Sequence, residues 1–494
     1  MTVAQKLLLL VGASAVAAIA VVMLGESSIA DPDVWGLMAM GRETLLRGWP
    51  PTEDPFTYLP AKNPVVYHEW LSGVVFYLLF TYLGSPALKV FMIALGLLTV
   101  GFAAVAGRRL GGSYLSILVV VVTIVVSMQV GYQSVIRAEA FTFLFFALFI
   151  FLLEEAGRGR PRGLLLIPPV TAVWANLHGG FVAGIGLVLL YLAGHLVSRQ
   201  KPWRLIGTGA AATLATLLNP YGVAYWWYLH EALLMPRPFI GEWRAVPLDF
   251  VSALAFKALL LLAVLAVIVA PRRHWPGVIV MGVTAFLGFR QYRHVPFFSI
   301  ACLVYVPAHL SPLLDRVVES VRPRVVLRPV LAALLAYATL GSLLLGAALH
   351  LTRFTSWQME VPASFYPVGA VDFLRLNLLQ GNLALPYNWG EYVLWELYPR
   401  VKVSFDGRYE TVYPPSVATD NFNFMYGLGD WRRLLRDYPT QMVLVDKTYP
   451  MARLMEREPG WTAVYHDPRS ALYLPTEKGS GAWRIPLRSD GTRP

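Results

Sequence analysis

Residues 7–24 read LLLLVGASAVAAIAVVML, and the acidic tripeptide Asp31-Pro32-Asp33 follows them after a short gap. The apolar run approaches the ~20 residues that a helix needs to span a bilayer. Because no clean cleavage site follows it, the run predicts a retained first membrane helix rather than a signal peptide. Carboxylates at a membrane surface are costly unless they serve a purpose, so Asp31 and Asp33 are the leading candidates for catalytic residues.

The whole chain has the composition of a polytopic membrane protein. Of its 494 residues, 56% are hydrophobic and 14% are charged, whereas soluble domains carry about 25% charged residues. The formal charge of +11 comes mostly from short basic loops between apolar segments, so the positive-inside rule explains it without nucleic acid as a partner. The single cysteine, Cys302, excludes a disulfide framework.

Basic clusters predict the orientation of the membrane segments. The clusters expected in the cytoplasm are 158–162, 199–204, 272–273 and 316–328. The crossings that follow include 163–175, 181–197, 205–218, 253–270, 277–287, 295–308 and 330–349. With residues 87–106 and 114–130, the chain has about 11–12 membrane segments. Residues 1–351 form the transmembrane domain, 26–66 its first outer loop, and 352–494 an outer domain.

Segment 65–83 leaves two topologies open. If Arg108-Arg109 obeys the charge rule, this segment lies against the membrane without fully crossing it. Otherwise the two arginines break the rule.

Polar residues from distant parts of the chain share the predicted outer face. They are Asp31, Asp33, Glu53, Asp54, His68, Glu69, Arg137, Glu139, Asn176, His178, Asn219, Glu231, Arg290, Arg293 and His294. Any one of them could simply reach water from a helix end, but their convergence indicates a site. The candidates for substrate binding among them are Glu53, Asp54, His68, Glu69, Asn176 and His178.

The first outer loop predicts a short amphipathic helix over residues 34–46, lying in the membrane interface. Pro32 suits its first turn and Gly48 its end. Asp31 then stands near the N-cap, and capping is the alternative to a catalytic role. Asp33, one residue inside the helix, is not explained by capping.

Arg290, Arg293 and His294 bring two guanidinium groups and an imidazole to one helix boundary. Such a set suits a phosphate or pyrophosphate, and an ordinary charged helix end is the alternative. Arg137 is either a further phosphate ligand or an ion-pair partner of Glu139.

No zinc site is predicted around His178, because no further histidines stand at ligand spacing. Coordination of Mg²⁺ or Mn²⁺ by Asp31 or Asp33 stays open.

The C-terminal segment alternates short apolar strands with helices, which predicts a small α/β domain. The predicted strands are 384–390, 401–405, 441–445 and 471–474, and the predicted helices are 371–379, 390–397 and 431–438. Glu391, Asp406 and Arg408 are candidates for substrate binding, since functional loops tend to follow strand ends. Turn chemistry alone also explains the Asp406-Gly407 pair.

The chain carries no nucleotide-binding motif and no nucleophile elbow. A reaction on the outer face must therefore draw on an already activated substrate, for which a lipid-linked donor is the natural choice.

Several motifs together resemble the GT-C superfamily of membrane glycosyltransferases, which includes protein O-mannosyltransferases, aminoarabinose transferases of lipid A and oligosaccharyltransferases. A widespread set of bacterial proteins of this type is the nearest resemblance. The motifs are Asp31-Pro32-Asp33-Val34-Trp35, Gly41-Arg42, Pro51-Thr52-Glu53-Asp54-Pro55-Phe56, His68-Glu69-Trp70-Leu71, Asn176-Leu177-His178-Gly179, Asn219-Pro220-Tyr221-Gly222, Asn388-Trp389-Gly390-Glu391-Tyr392 and Phe405-Asp406-Gly407-Arg408.

The resemblance implies transfer of a sugar from a polyprenyl-phosphate donor to a glycan, lipid or protein acceptor, at the periplasmic face of a bacterial inner membrane. It gives Asp31 or Asp33 the role of general base, and an Asp-Pro-Asp order in place of the Asp-Glu order of the O-mannosyltransferases leaves open which one. Direct displacement by the acceptor implies inversion of the anomeric carbon. A transporter or flippase of a lipid-linked saccharide and a non-catalytic envelope assembly protein are the alternatives.

Overall fold

The computed structural model describes residues 29–132, 136–235, 243–249, 253–270, 273–321 and 356–479, together with 338, 342 and 346. The predicted helix over residues 7–24, almost all of segment 330–349 and part of the basic stretch 316–328 lie outside the described residues.

Contacts divide the chain into two compact units. The helical unit comprises Met1–Ser28, Ser85–Gly222 and Pro236–Gln358, and the mixed unit comprises Ile29–Gly84, Val223–Met235 and Met359–Pro494. The first outer loop thus shares a unit with the C-terminal segment, a grouping that the sequence did not indicate.

Helices dominate the described residues up to position 321. They are α1 (Pro32–Arg47), α2 (Trp70–Leu83), α3 (Ser85–Arg109), α4 (Tyr114–Tyr132), α5 (Glu139–Gly157), α6 (Ile167–Leu177), α7 (Phe181–Val197), α8 (Trp203–Ala215), α9 (Ala224–Leu234), α10 (Leu254–Val269), α11 (Trp275–Arg290) and α12 (Val295–Val321). Short 3-10 helices precede α6 (Pro161–Leu166) and α12 (Tyr292–His294).

Three helical stretches among these residues are long and apolar enough to cross a membrane, namely Ser85–Arg109, Glu139–Gly157 and Tyr292–Leu314. Shorter apolar helices are Trp70–Leu83, Tyr114–Val125, Phe181–Val197, Leu254–Val269 and Trp275–Arg290. The 14 residues of α2 rise about 21 Å, less than the ~30 Å hydrocarbon core. This length suits a segment that does not fully cross, although its placement in a bilayer stays a prediction.

The helical unit packs around α5 and α12. Helix α12 lies against α3, α4 and α11, while α5 lies against α3, α7 and α12. The Phe297 ring of α12 sits 5.3 Å from Phe143 and 4.9 Å from Phe146 of α5. The predicted segment 163–175 is not one helix, because Pro168 and Pro169 occupy the first turn of α6 and separate it from the preceding 3-10 helix.

The predicted helix of the first loop is confirmed as α1. The Asp31 side chain accepts a hydrogen bond from the Asp33 N–H, Pro32 opens the first turn, and Gly48 ends the helix in the left-handed region with φ 73°. These are the local signals that fix both ends of a helix.

The C-terminal segment forms a five-stranded sheet with helices between its strands. Its elements are α13 (Val368–Leu376), β1 (Gly381–Ala384), α14 (Gly390–Leu397), β2 (Val401–Val403), α15 (Tyr409–Val412), α16 (Pro415–Tyr426), α17 (Arg433–Arg436), β3 (Met442–Asp446), α18 (Met451–Met455), β4 (Trp461–His466) and β5 (Ser470–Pro475). The strand order is β2-β1-β3-β5-β4. Strands β2, β1 and β3 are parallel, and β5 is antiparallel to both β3 and β4. The predicted small α/β fold is confirmed.

Two strand predictions need correction. The predicted strand 384–390 is wrong, because β1 ends at Ala384 and Tyr387–Trp389 forms a 3-10 helix. Pro386 fixes φ and has no N–H for a ladder, so the chain turns there into α14. Strand β4 was not predicted, since its alternation is irregular around a register shift between Ala463 and Tyr465.

The first loop completes the sheet at its β2 edge. The Val403 N–H donates to the Phe56 carbonyl at 3.0 Å, and the Tyr58 N–H donates to the Val403 carbonyl at 3.3 Å. The Thr57 hydroxyl donates to the same carbonyl at 3.0 Å. Residues 56–58 therefore cover an edge that would otherwise present unpaired backbone groups.

Candidate active site

Asp31 and Asp33 have different surroundings at the start of α1. Asp31 is 7% exposed and caps the helix by accepting the Asp33 N–H at 3.1 Å. Asp33 lies in the first turn, where the helix dipole favours a carboxylate. Its Oδ1 lies 2.9 Å from the point where a Cβ on Gly407 would stand.

Glu391, in the first turn of α14, also approaches this point. Its Oε1 lies 2.6 Å from that Cβ position on Gly407. Its Oε2 accepts the Gly36 N–H at 3.1 Å, and a Cβ on Gly36 would come within 2.4 Å of the Glu391 carboxyl. The two glycines make room for this approach, so the structure brings Asp33 and Glu391 together around Gly407.

Glu391 is 3% exposed, and its surroundings favour the neutral carboxylic acid. Burial, and then the charges of Asp33 and Asp406, raise the pKa of Glu391 well above its usual range. The Arg408 charge and the Gly36 N–H oppose this rise without reversing it. Protonation of Glu391 therefore leaves Asp33 without a second negative charge beside Gly407.

Arg408 lies between two buried carboxylates. Its Nη2 donates to Asp406 Oδ2 at 2.6 Å and its Nη1 to Asp54 Oδ1 at 2.5 Å. The side chains of both aspartates are fully buried, and that of Arg408 is 9% exposed. Burial disfavours the guanidinium charge, but Asp406 and Asp54 hold its pKa well above its ordinary value. This ion network fixes the loop that carries Asp54 against the loop that carries Gly407.

Tyrosine hydroxyls complete the network, although no sequence pattern singles them out. Tyr67 donates to Asp54, and Tyr413 donates to Asp406 at 2.8 Å. Burial, and then the Asp33 charge, raise the pKa of Tyr387, so its phenol stays protonated near the carboxyl pair. The only available signal was position, since Tyr67 precedes His68 and Tyr387 precedes Asn388 in the motifs.

The remaining first-loop candidates lie in the same unit but outside this network. His68 stacks on Tyr228 with ring centroids 5.1 Å apart, and its Nδ1 shares a hydrogen bond of 3.0 Å with the Tyr228 hydroxyl. Its Nε2 lies 3.6 Å from Glu69 Oε1. Glu53 is exposed.

The phosphate candidates belong to the helical unit. Arg293 Nη2 donates to Glu139 Oε1 at 3.2 Å, and its guanidinium lies 4.6 Å from the Trp243 ring centre. Arg290 ends α11 with an exposed side chain, while Arg137 and His294 are half-buried. Arg293 thus pairs with Glu139, the residue predicted as a possible ion-pair partner of Arg137.

Asn176 and His178 support the end of α6. The Asn176 side chain donates to the Ala172 and Leu218 carbonyls, each at 2.8 Å. His178 Nδ1 accepts the Gly180 N–H at 2.8 Å and contacts the Thr142 hydroxyl at 2.8 Å. These bonds join the C-terminal end of α6 to α5 and to the loop that follows α8.

Within the described ranges, no group of three or more His, Cys, Asp or Glu side chains is arranged to hold a metal ion.

No protein-family model matches the chain, and no curated protein matches it by sequence. Solved structures do match. The arabinofuranosyltransferase AftD from Mycobacteria matches with a TM-score of 0.55 at 16% identity, over 94% of this chain and 41% of AftD. ArnT from Cupriavidus metallidurans bound to undecaprenyl phosphate matches with 0.53 at 14% identity, over 98% of this chain and 100% of ArnT. The apo state of ArnT matches with a TM-score of 0.52 at 14% identity, over 97% of this chain and 100% of ArnT.

The chain has the fold of the GT-C membrane glycosyltransferases. The fold resemblance drawn from the sequence motifs is thereby confirmed. With its apolar helices, this GT-C fold makes the chain an integral membrane protein. It spans less than half of the AftD chain.

Proposed function

We propose that this protein is a membrane glycosyltransferase that moves a sugar from a polyprenyl-phosphate-linked donor to an acceptor. The observation that carries the proposal is the match along 98% of the chain to the whole of ArnT, a structure bound to undecaprenyl phosphate. The acceptor is a glycan, a lipid or a protein, and the reaction takes place at the periplasmic face of a bacterial inner membrane.

Asp33 is the general base in this proposal. Asp31 is engaged as a helix cap, whereas Asp33 Oδ1 lies beside Gly407, 2.9 Å from the position that a Cβ would take there. As the acceptor hydroxyl attacks the anomeric carbon, its proton passes to the Asp33 carboxylate. The bond between the anomeric carbon and the phosphate oxygen breaks, and polyprenyl phosphate leaves with the electron pair. One displacement inverts the anomeric centre.

Basic side chains of the helical unit stabilise the departing phosphate. Arg290, Arg293, His294 and Arg137 are the residues proposed for this role, since guanidinium groups bind phosphate oxygens in a bidentate fork. Guanidinium groups at the donor phosphate offset the charge that develops on the leaving group.

The proposal is tested by transfer of radiolabelled sugar from a panel of polyprenyl-phosphate sugars, with Asp31→Asn and Asp33→Asn beside the wild type. We expect Asp33→Asn to lose about 10²–10⁴-fold in turnover, the contribution of a positioned general base, with donor binding kept. The control is Asp430→Asn, an exposed carboxylate of the mixed unit, which should transfer sugar at the wild-type rate.

Other outcomes reassign the roles. Loss in Asp31→Asn with an active Asp33→Asn makes Asp31 the base. Loss of wild-type transfer on addition of EDTA, restored by Mg²⁺ or Mn²⁺, adds a divalent cation to the reaction. If the wild type neither transfers sugar nor binds any donor, the proposal fails in favour of a transporter or an assembly protein.

A further inference from the structure

Three arginines of the helical unit surround one carboxylate near the end of α5. Arg109, the last residue of α3, pairs with Glu155 Oε2, and the Nη1 of Arg160 donates to the same oxygen at 2.9 Å. The Nε of Arg158 lies 4.0 Å from Glu155 Oε1. A single carboxylate balances one guanidinium group, so these four residues, the arginine cluster, carry an excess of positive charge.

The arginine cluster is buried at its centre and exposed at its edge. Glu155 is 7% exposed, whereas the side chains of Arg109, Arg158 and Arg160 are 38%, 42% and 67% exposed. Because two of the guanidinium groups share one oxygen, their like charges lie close together. An anion bound to the exposed sides of these groups would offset that repulsion.

Exposed apolar side chains accompany the cluster on α3 and on the 3-10 helix that follows α5. Leu98 and Val105 of α3 are 51% and 45% exposed, and their spacing places them on the same helix face as Arg109. Leu165 and Leu166 of the 3-10 helix are 76% and 54% exposed. Since α3 is long and apolar enough to cross a membrane, this apolar surface suits acyl chains and the neighbouring cations suit a lipid phosphate.

The arginine cluster is separate from the residues proposed to bind the donor phosphate. Glu139, which pairs with Arg293, begins α5, and Glu155 lies near its other end. The 19 residues of this helix rise about 28 Å. One phosphate cannot contact both groups of arginines, so the cluster needs a different ligand.

We propose that the arginine cluster binds the head group of an anionic phospholipid. The phosphate lies against the exposed guanidinium groups of Arg158 and Arg160, and the acyl chains lie along the exposed apolar face of α3. Basic pockets between membrane helices suit such head groups, because they pair the lipid charge without removing the acyl chains from the bilayer. This inference concerns the lipid around the protein and does not depend on the transferase function.

Two double variants remove equal charge from different places on the helical unit. Arg158→Gln combined with Arg160→Gln removes two cations from the cluster and keeps the pair of Arg109 with Glu155. The matched control combines Arg199→Gln with Arg204→Gln, two exposed arginines at and before the start of α8. Both double variants should melt like the wild type, since the removed side chains are exposed and such ion pairs add little stability.

Native mass spectrometry of the full chain in detergent, titrated with phosphatidylglycerol or phosphatidylcholine, measures the binding. We expect the wild type to prefer phosphatidylglycerol. The affinity for this lipid should fall about 30-fold in the cluster variant and stay within a few-fold of the wild type in the control. If the cluster variant melts at a lower temperature, Arg158→Gln alone, which removes only the contact of 4.0 Å, should still lose about fivefold.

Three results would overturn the proposal. Equal losses in the two double variants would mean that the lipid responds only to net charge. A wild type without preference for phosphatidylglycerol over phosphatidylcholine would mean that the cluster binds no anionic head group. Undecaprenyl phosphate, titrated in the same way, should bind equally to both double variants, and a fall as large as that of phosphatidylglycerol would reveal a general site for lipid phosphates.

Discussion

At the scale of single residues, two glycines determine the site. Gly36 and Gly407 each leave a space that a methyl group would fill, and the Glu391 carboxyl occupies both spaces. The same carboxyl is nearly excluded from water. The cost of burying a charge there is high, which is why burial raises the pKa of Glu391.

The raised pKa of Glu391 predicts a pH dependence of stability. The charges of Asp33 and Asp406 favour the neutral form, and the Arg408 charge and the Gly36 N–H oppose it. As pH rises above the ordinary value of 4.5, the unfolded state releases the proton while the folded state keeps it. The free energy of unfolding therefore falls until the folded-state pKa is passed.

Melting temperatures of the purified protein between pH 4.5 and pH 8 check this sign. Glu391→Gln should remove that part of the fall, whereas Asp430→Asn should keep it. A fall of the same size in Glu391→Gln would show that Glu391 is already ionised in the folded protein.

At the scale of elements, residues 56–58 act as an added strand. They pair with β2 through the backbone groups of Phe56, Tyr58 and Val403, and the ion network of Arg408 lies directly beside this pairing. The network joins the first loop to the C-terminal segment, so we expect it to stabilise the loop on the sheet.

Replacing Arg408 tests whether the ion network stabilises the first loop on the sheet. Arg408→Met leaves Asp54 and Asp406 buried without their cation, which costs about 3–5 kcal/mol. Amide hydrogen exchange at Val403 and Tyr58 should accelerate strongly, because their hydrogen bonds join the loop to β2. Arg436→Met, at an exposed ion pair, should leave the exchange unchanged. Equal protection in Arg408→Met and the wild type would mean that backbone pairing alone holds the loop.

Elements set by local signals could be predicted from the sequence. Asp31, Pro32 and Gly48 fix α1 because capping and turn conformation depend on a few neighbouring residues. Pro386 is also a local signal, because it disfavours a strand, and it explains why the predicted strand over residues 384–390 is wrong.

The rest of the site depends on contacts between distant segments. Gly36 and Glu391 are 355 positions apart, so no local pattern could show that the Glu391 carboxyl lies against the first turns of α1. The burial of Arg408 and the positions of the tyrosines around it also depend on packing, which no periodic pattern in the sequence encodes.

At the scale of the whole molecule, the mixed unit is assembled from three separate stretches of chain. Trp35 of α1 packs against Tyr392 at 5.5 Å and Trp395 at 6.2 Å between ring centroids. The Tyr366 hydroxyl accepts a hydrogen bond from the Trp35 indole at 3.3 Å and donates to the Ala30 carbonyl at 2.8 Å. The C-terminal segment therefore shares its core with the first loop.

This shared core predicts that residues 359–479 do not fold alone. Without the first loop, the β2 edge and the aromatic surface around Tyr392 are open, which favours aggregation. Fusing residues 29–69 through a flexible linker should restore cooperative melting and a near-ultraviolet circular dichroism spectrum. Equal melting of the isolated and fused segments would show that the sheet is independent of the loop.

The pairing of Thr57 with Val403 also determines when the first loop can find its partner during synthesis of the chain. The two residues are 346 positions apart, which at typical rates of synthesis corresponds to roughly 20–70 s between their emergence from the ribosome. Throughout that interval the first loop has been made, yet the strand it must join does not exist. Newly made chains therefore pass through a stage in which the first loop lacks its partner, and factors that protect unpaired segments would act on this protein at that stage.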